Sequence, residues 1–533
     1  MYTIGEIPRK WARREPNKEC MVCTVFKKRF TWKEFNNRIN RLANGLISLG
    51  LKKGDKFAIL MINNHIFIEC YYAMAKIGVI PVPLNWRWHV NEVKYALNHS
   101  DSIGIIIEPA FKRLLKKIKN DIPNVKTQIS IKEKYEDMIY YEDLLEEYSE
   151  NEPDIEIDEN DIFFLCYTGG TTGFPKAAMI TNRSMINTCM DTLFTLIRDE
   201  PAFGTISMKN FSTLFALPAF HISIWPVFLL HFAGGKVVNT DKFTDMRFIL
   251  KTIQEEKITH LNLVPTLYYF MLNIPYIEKY DLSSLKILSY AGAPFPTNQL
   301  EQCMTIFGSK FMQGLGATEG MPWTMMFTID HDLSTNEGRK RIKSCGKETL
   351  LTEVKICDEN GKEVPRGQMG ELVVRSKSLM AGYWKDSEKT EQVLKNSWYW
   401  TGDLGSMDED GYIFLVDRKA DMIKSGGERI YPFEVENVLL KHPLVAEAIV
   451  IGAPDHKWGQ RVHAAVRLKD EFIKKYENRK DELEELLNKF CHENLTAYKC
   501  PKTYDFWKRK LPKTVVGKPL RKEIKKQFEK EMI

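Results

Sequence analysis

Residues 167–184 read YTGGTTGFPKAAMITNRS, a stretch with three glycines, four threonines and a lysine at position 176. Glycine lets backbone N–H groups turn toward a bound group, threonine adds hydroxyl donors, and Lys176 adds a positive charge. This combination predicts a loop that wraps phosphate, and the expected ligand is a nucleotide. Glycine and threonine also collect in ordinary turns, so the composition alone leaves a structural turn as the alternative.

The loop differs from the Walker A phosphate loop, in which Gly-Lys-Ser/Thr places the lysine at the start of a helix. Pro175 precedes Lys176 here, and Ala177 follows it. Proline removes one N–H donor and disfavours a helical conformation at Phe174. We therefore expect a different phosphate-binding loop, and a P-loop phosphotransferase is the disfavoured enzyme alternative.

The segments around this loop alternate between helix-like and strand-like patterns. Thr31 and Glu34 form a capping-box pattern, and apolar residues then recur every three or four positions before Gly50: Phe35, Ile39, Leu42, Leu46 and Leu49. The strand-like KFAILMI, the helix-like IFIECYYAMAKIG and the strand-like VIPVPLN follow. This alternation predicts an α/β fold, with layered and largely parallel sheets in a large N-terminal domain. Ligands in such folds bind beyond the carboxyl ends of the strands.

The pattern changes after residue 345 to shorter strands and turns, as in TEVKICDENGKEVPRGQMGELVVRS. Glu-Asn-Gly-Lys in this stretch predicts a hairpin turn, and the whole stretch predicts a β-rich subdomain. A self-contained set of strand and helix patterns follows DRKAD at 417–421. We therefore expect an N-terminal domain at 1–417 and a small α+β C-terminal domain at 418–533.

The composition of the chain limits its partners and its location. The 533 residues carry 76 Lys and Arg against 70 Asp and Glu, and the net charge of +6 is spread along the chain, so no nucleic-acid partner is expected. Ten cysteines and a charged start, MYTIGEIPRKWARREP, favour a cytoplasmic protein. Cys20 and Cys23 form a lone CxxC without a second pair, which favours a structural role. The oligomeric state is left open.

One segment, 210–235, contains no charged residue and is long enough to cross a bilayer. Pro218, His221, Pro226 and His231 interrupt it, and it divides into a strand-like run, a loop and a second apolar run. The segment is therefore predicted to be a buried pocket wall and not a transmembrane span, which leaves peripheral membrane contact open.

Five further stretches accompany the glycine-rich loop: LPAFH, GLGATEG, WYWTGDLG, DRKADMIKSGGERIYPFEVE and LPKTVVGKPLR. In order and spacing, together they resemble the adenylate-forming superfamily, specifically its acyl-CoA synthetases, over nearly the whole chain. The resemblance implies that ATP converts a carboxylic acid into an acyl adenylate with release of pyrophosphate, and that coenzyme A then accepts the acyl group. Bringing a carboxylate to a triphosphate requires charge neutralisation, which the resemblance assigns to Mg²⁺ and lysine.

The same resemblance implies roles for particular residues. Lys518, in Gly-Lys-Pro, would stabilise the adenylation transition state. Glu319 would bind Mg²⁺ with Thr168 as a second metal contact, and Thr318 would bind a phosphate oxygen. The phosphate loop itself would comprise Thr168, Gly169, Gly170, Thr171, Thr172, Gly173 and Lys176.

Asp403 matches the ribose-binding aspartate, although without the motif it would equally suit a helix cap, and Arg418 would be the second ribose contact. His221 matches an aromatic position between the acyl pocket and the nucleotide, with a packed core histidine as the alternative, and ISIWPVFLL would line the acyl tunnel. The adenine-binding group would comprise Gly292, Ala293, Pro294, Leu315 and Gly316.

In the second step that the resemblance implies, the C-terminal domain is a mobile lid that rotates. It would then present Gly426 and Gly427 to the pantetheine arm of coenzyme A, whose thiol attacks the adenylate. The chain departs from the common family pattern at a few positions: Gly169 replaces a frequent serine, Ala177 a glycine, Leu315 a tyrosine, and Ala420 an Asp or Lys at the hinge.

Several alternatives remain open at this point. The apolar segment favours a medium- or long-chain aliphatic acid over acetate, but an aryl or other bulky acid fits such walls as well. A carrier protein could replace free coenzyme A as the acceptor, and luciferase-like oxygenation is a further fate of an adenylate. A nucleotide-binding regulatory protein without chemistry is disfavoured because Lys518, Glu319 and Asp403 are all present.

Overall fold

The computed structural model describes residues 2–168, 175–206, 210–293, 295–418, 421–425, 428–477, 479–513 and 519–531. The chain divides into two compact units. The first unit comprises Met1–Glu353 and Val374–Tyr399, and the second comprises Val354–Val373 and Trp400–Ile533.

The α-helices are distributed along the whole chain. They are α1 (Glu6–Arg14), α2 (Trp32–Ser48), α3 (His65–Ile77), α4 (Val90–His99), α5 (Lys112–Ile118), α6 (Tyr141–Glu147), α7 (Asn182–Asp199), α8 (Trp225–Phe232), α9 (Met246–Glu256), α10 (Pro265–Leu272), α11 (Thr297–Phe307), α12 (Asn336–Arg341), α13 (Ser387–Val393), α14 (Pro432–Leu439), α15 (Asp470–Tyr476), α16 (Lys480–Asn494) and α17 (Arg521–Glu531).

The β-strands are mostly short. They are β1 (Glu19–Cys23), β2 (Lys28–Thr31), β3 (Lys56–Leu60), β4 (Ile80–Pro83), β5 (Ser102–Ile107), β6 (Thr127–Ser130), β7 (Ile139–Tyr140), β8 (Ile162–Thr168), β9 (Lys176–Thr181), β10 (Ser212–Phe215), β11 (Lys236–Asn239), β12 (His260–Leu263), β13 (Ile287–Ala291), β14 (Phe311–Ala317), β15 (Gly320–Met326), β16 (Lys347–Glu348), β17 (Thr352–Cys357), β18 (Gly370–Ser376), β19 (Leu394–Lys395), β20 (Trp398–Met407), β21 (Ile413–Arg418), β22 (Ile423–Ser425), β23 (Glu428–Ile430), β24 (Val445–Asp455), β25 (Gly459–Leu468) and β26 (Thr503–Phe506).

The first unit is built on two largely parallel sheets, as the alternating pattern predicted. The larger sheet has the order β16-β15-β14-β13-β12-β10-β11-β1-β2, with parallel pairing from β1 through β14 and antiparallel pairing at the two edges. The second sheet has the parallel order β4-β3-β5-β6-β7, and β8 and β9 form a separate antiparallel hairpin. Central strands such as β3, β4, β5 and β10 are nearly continuously buried, as is typical of parallel sheets that helices cover on both faces.

The predicted start of α2 is confirmed. The Thr31 side chain accepts a hydrogen bond from the backbone N–H of Glu34, and the Glu34 carboxylate accepts one from the backbone N–H of Thr31. This reciprocal pair satisfies donors that the first helical turn leaves without an intrahelical partner. Of the predicted apolar face, Phe35, Ile39, Leu42 and Leu46 are fully buried, and Leu49 at the end of the helix is half-buried.

The uncharged segment 210–235 forms the predicted strand, loop and apolar run. It begins in β10, passes through a 3-10 helix at Ile222–Ile224 and ends in α8. Phe228 of α8 packs in the core against Tyr71, Tyr72 and Phe163, at ring-centroid distances of 5.5, 5.7 and 5.2 Å. Within the described residues, no helix is both long enough and apolar enough to cross a membrane.

Two antiparallel arrangements follow in the sequence. One sheet has the order β17-β18-β20-β19, with β21 paired to β20, and the predicted hairpin turn is confirmed because the Gly361 N–H donates to the Asp358 carbonyl at 3.1 Å. The other sheet, in the second unit, has the order β23-β22-β25-β24 with antiparallel pairing, and β26 joins β25 in parallel. The short strands and turns agree with the predicted β-rich and α+β character of the C-terminal part.

Candidate active site

The glycine-rich loop connects the two strands of the β8–β9 hairpin. Thr168, the last residue of β8, lies opposite Lys176, the first residue of β9, in the antiparallel register. The ladder therefore holds the two ends of the loop together. The predicted phosphate contacts Gly169, Gly170, Thr171, Thr172 and Gly173 lie outside the described residues.

The predicted adenine wall lies at the carboxyl ends of neighbouring parallel strands. Ala291 of β13 pairs with Gly314 of β14, so Gly292 and Leu315, which follow them, extend from the same edge of the sheet. Gly292 has a φ of +83°, which disfavours a side chain at this position, and the space where a Cβ would stand is open. Leu315 and Gly316 are half-buried. Ala293 is a described residue beside this edge, whereas Pro294 lies outside the described residues.

The Ala-Thr-Glu motif forms the tight connection between β14 and β15, where Ala317 pairs with Gly320. Thr318 in this connection is buried and Glu319 is half-buried. The Tyr383 hydroxyl donates a hydrogen bond to Glu319 Oε1 at 2.6 Å. The predicted metal ligand is thus held in one orientation by a residue 64 positions away.

The positive charge of Lys176 lies over the same tyrosine. Its Nζ atom is 5.3 Å from the centre of the Tyr383 ring, within the range of a cation–π interaction. Burial, followed by the nearby Lys389 charge, lowers the pKa of Lys176. The structure therefore brings Lys176 and Glu319 to opposite parts of one tyrosine, a contact that the sequence analysis missed.

A metal ion at Glu319 would suit the donors that the structure describes there. Mg²⁺ prefers oxygen ligands and usually retains several waters. Among the described residues, none hydrogen-bonds Glu319 Oε2, so this oxygen can serve as a ligand while Tyr383 holds Oε1. The described residues contain no group of three or more His, Cys, Asp or Glu that could hold a metal ion. Bound Mg²⁺ would therefore take its other ligands mainly from phosphate and water.

His221 is the N-cap residue of the 3-10 helix in the uncharged segment and is half-buried. Its Nδ1 atom accepts a hydrogen bond from the Ser223 backbone N–H at 3.4 Å. The preceding loop is anchored by the buried Asn63, whose amide donates to the Leu217 carbonyl at 2.6 Å and accepts from the Ala219 N–H at 2.9 Å. His221 is thus placed by a rigid loop, and its role beside the acyl group remains a prediction.

The predicted ribose contacts belong to the second unit, where Asp403 of β20 and Arg418 of β21 are register partners in an antiparallel ladder. Asp403 is buried, and its backbone N–H donates to Thr401 Oγ1 at 3.0 Å. Because Asp403 lies within a strand, it does not serve as a helix cap. Their roles as ribose contacts remain predictions.

Other predicted residues of the C-terminal part lie outside the described residues: Ala420, Gly426, Gly427 and Lys518. Their roles remain predictions. The ten cysteines are free and buried, in agreement with a structural role for Cys20 and Cys23 in and at the end of β1.

Family models and known proteins match the chain along its length. The model described as AMP-binding enzyme matches residues 8–384, and the model described as AMP-binding enzyme C-terminal domain matches residues 434–518. A feruloyl-CoA synthase of Amycolatopsis sp is 33% identical over 511 residues, covering 93% of this chain and 94% of the relative. A long-chain fatty acid–CoA ligase of Mycobacterium tuberculosis is 30% identical over 540 residues, covering 99% of both chains.

Solved structures agree with these relatives. An anthranilate CoA ligase in complex with anthranoyl-AMP has a TM-score of 0.87 at 25% identity, covering 100% of this chain and 98% of that chain. A fatty acyl CoA synthetase of Mycobacterium tuberculosis has a TM-score of 0.77 at 28% identity, covering 99% of both chains.

Proposed function

The chain belongs to the AMP-binding enzyme family as an AMP-forming acyl-CoA synthetase, and from this premise we propose that it activates a medium- or long-chain aliphatic acid for transfer to coenzyme A. The observation that supports the ATP-dependent activation step is the meeting of Lys176 and Glu319 at Tyr383. A cationic group and a carboxylate with a free oxygen, both next to a glycine-rich hairpin, suit a magnesium-bound triphosphate.

In the first step, a carboxylate oxygen of the acid attacks the α-phosphate of ATP, and pyrophosphate leaves. Lys176 and Thr318 bind phosphate oxygens, and Lys518 stabilises the charge that develops in the transition state. Glu319 holds Mg²⁺, with Thr168 as a second contact. When bound, Mg²⁺ neutralises phosphate charge.

The nucleoside is bound at two places. Asp403 accepts hydrogen bonds from the ribose hydroxyls, and Arg418 is the second ribose contact. The adenine lies between the end of β13 and Leu315, which provides aliphatic packing where an aromatic ring would stack. The open space at Gly292 and the register of Asp403 with Arg418 support these assignments.

In the second step, the part of the chain after the boundary at 417/418 rotates and presents Gly426 and Gly427 to the pantetheine arm. The thiol of coenzyme A then forms the thioester, and AMP leaves. Because AMP is already a good leaving group, positioning carries this step.

The substrate class is argued from the segment 210–235. An uncharged strand, loop and helix that are mostly buried offer apolar walls without a partner for a second charged group on the acid. An aromatic acid is the second candidate, and the 33% identity to a feruloyl-CoA synthase favours it. Loading of a carrier protein is a further alternative for the acceptor.

The proposal is tested by measuring ATP-dependent pyrophosphate release with each of five acids, with and without coenzyme A. The acids are acetate, octanoate, palmitate, benzoate and a cinnamate. We expect AMP and pyrophosphate to form with octanoate or palmitate, with turnover that requires coenzyme A. Turnover with the aromatic acids alone would overturn the aliphatic assignment. A single burst of pyrophosphate regardless of coenzyme A would point to another acceptor.

A further inference from the structure

A short extended segment, residues 380–384, joins two walls of the candidate site in the first unit. On one side it pairs with β9: the Ala381 N–H donates to the Met179 carbonyl at 2.9 Å, and the Met179 N–H donates to the Gly382 carbonyl at 2.8 Å. On the other side, the Met380 N–H donates to the backbone carbonyl of Glu319 at 2.7 Å. The segment therefore fixes β9, which begins at Lys176, relative to the Ala-Thr-Glu connection.

Tyr383 is held firmly within this segment. Its backbone N–H donates to Thr390 Oγ1 at 2.9 Å, and Ala178 is its partner in an isolated antiparallel bridge. Gly382 has a φ of +144°, and a Cβ there would come within 2.8 Å of the Thr390 methyl group, so the close approach requires glycine. The tyrosine ring is 7% exposed. Its orientation is therefore set before any ligand binds.

The hydroxyl of Tyr383 acts as a hydrogen-bond donor toward Glu319. A tyrosine phenol is protonated at neutral pH, so its O–H can donate to the Glu319 carboxylate. A donor 2.6 Å from Oε1 restricts rotation of the carboxylate and occupies one of its two oxygens. Oε2, to which no described residue donates, is then the less engaged oxygen for a cation.

We propose that Tyr383 is a positioning residue that orients the Glu319 carboxylate toward magnesium and supports the Lys176 ammonium over its ring. This inference rests on the proposed function, which makes Glu319 the metal ligand and Lys176 a phosphate contact. Tyr383 itself contacts neither the acid nor the phosphates; it acts through Glu319 and Lys176. Partners that orient a metal ligand typically change metal affinity or activity about 10- to 100-fold when removed.

The test is the Tyr383→Phe variant, which keeps the ring beneath Lys176 and removes the hydroxyl. We expect the Mg²⁺ concentration for half-maximal pyrophosphate release to rise about tenfold, with most of the kcat recovered at saturating Mg²⁺. A second readout does not need turnover: the Mg²⁺ concentration at which ATP raises the Tm should shift by a similar factor.

Tyr141→Phe is the matched control. The Tyr141 hydroxyl also donates to a carboxylate at 2.6 Å, that of the buried Glu69, and neither residue belongs to the proposed site. This variant should lower the Tm without a change in the Mg²⁺ requirement. If Tyr383→Phe likewise lowers only the Tm, Tyr383 is a structural residue and the inference is overturned.

Glu319→Gln separates failure of this inference from failure of the proposed function. If Tyr383 acts through Glu319, adding Tyr383→Phe to the Glu319→Gln variant should change the Mg²⁺ requirement less than twofold. A shift with Glu319→Gln but none with Tyr383→Phe overturns only the positioning role. If neither variant shifts the Mg²⁺ requirement, Glu319 is not the metal ligand, and that part of the proposed function is also wrong.

Discussion

Replacing Asn63 with alanine should loosen the loop that carries His221. Asn63 is 1% exposed, and its amide makes both anchoring hydrogen bonds to residues 217 and 219. The substitution leaves a buried carbonyl and a buried N–H without these partners, and each orphaned group costs about 1–3 kcal/mol. We therefore expect the free energy of unfolding to fall by roughly 2–6 kcal/mol in a urea titration.

The functional consequence should be confined to the acid. His221 follows the anchored loop, and its backbone N–H donates to the Pro218 carbonyl, so a loosened loop displaces the histidine. We expect the KM for the acid to rise several-fold, while the KM for ATP changes less than twofold. Isothermal kinetics below the unfolding range of the variant measure both constants.

Asn40→Ala is the control for this experiment. Asn40 is equally buried, and its amide donates to the Glu150 carbonyl at 2.8 Å and to Glu152 Oε1 at 3.1 Å. It should lose stability without a change in either KM. The reasoning is refuted if Asn63→Ala costs less than about 0.5 kcal/mol, or if its KM for the acid matches that of Asn40→Ala.

Three further predictions concern the helix cap, acid stability and the ring of Tyr383. Thr31→Ala removes the hydrogen bond to the Glu34 N–H and should lower stability by about 1 kcal/mol, as measured by urea titration, whereas Thr31→Ser should retain most of it. Burial lowers the pKa of His65 to about 4, so the folded state resists protonation, and stability should fall as the pH decreases from about 6.5 toward 4. His65→Leu should reduce that loss by roughly 1 kcal/mol between pH 6.5 and 5.5, and an unchanged pH dependence would contradict this. Tyr383→Leu removes the cation–π contact with Lys176, and at saturating Mg²⁺ it should raise the KM for ATP about two- to tenfold beyond Tyr383→Phe, a difference that vanishes if the ring is irrelevant.

Local features of the fold could be predicted from the sequence because neighbouring residues determine them. The Thr31 and Glu34 pair acts over three positions, and the pattern therefore identifies the start of α2. The alternation of apolar runs likewise predicted the parallel sheets, because each buried strand and amphipathic helix carries its own periodicity. The antiparallel edges at β2, β15 and β16 depend on which strands meet, and the pattern did not specify them.

The candidate site was predictable only in part. The composition of the glycine-rich loop pointed to Lys176 and the resemblance pointed to Glu319, because each residue lies in a continuous motif. It did not identify Tyr383, since the contact joins residues 64 positions apart and a tyrosine in MAGYW has no local feature that indicates a carboxylate partner. Such a contact arises only when 380–384 pairs with β9, which is a property of the tertiary fold.

The pairing of Thr168 with Lys176 fixes the two ends of the glycine-rich loop, so the loop could be replaced without changing where it attaches. Backbone hydrogen bonds of β8 and β9 set the separation of its two attachment points, whichever residues connect them. Segments of equal length could thus be grafted between these points while the strand register is kept. Inserting one residue within β9 instead would invert the faces of the side chains that precede the insertion, and Lys176 would then point away from Tyr383. Directed evolution of nucleotide preference would therefore do best to vary the composition of the loop and leave both strand lengths unchanged.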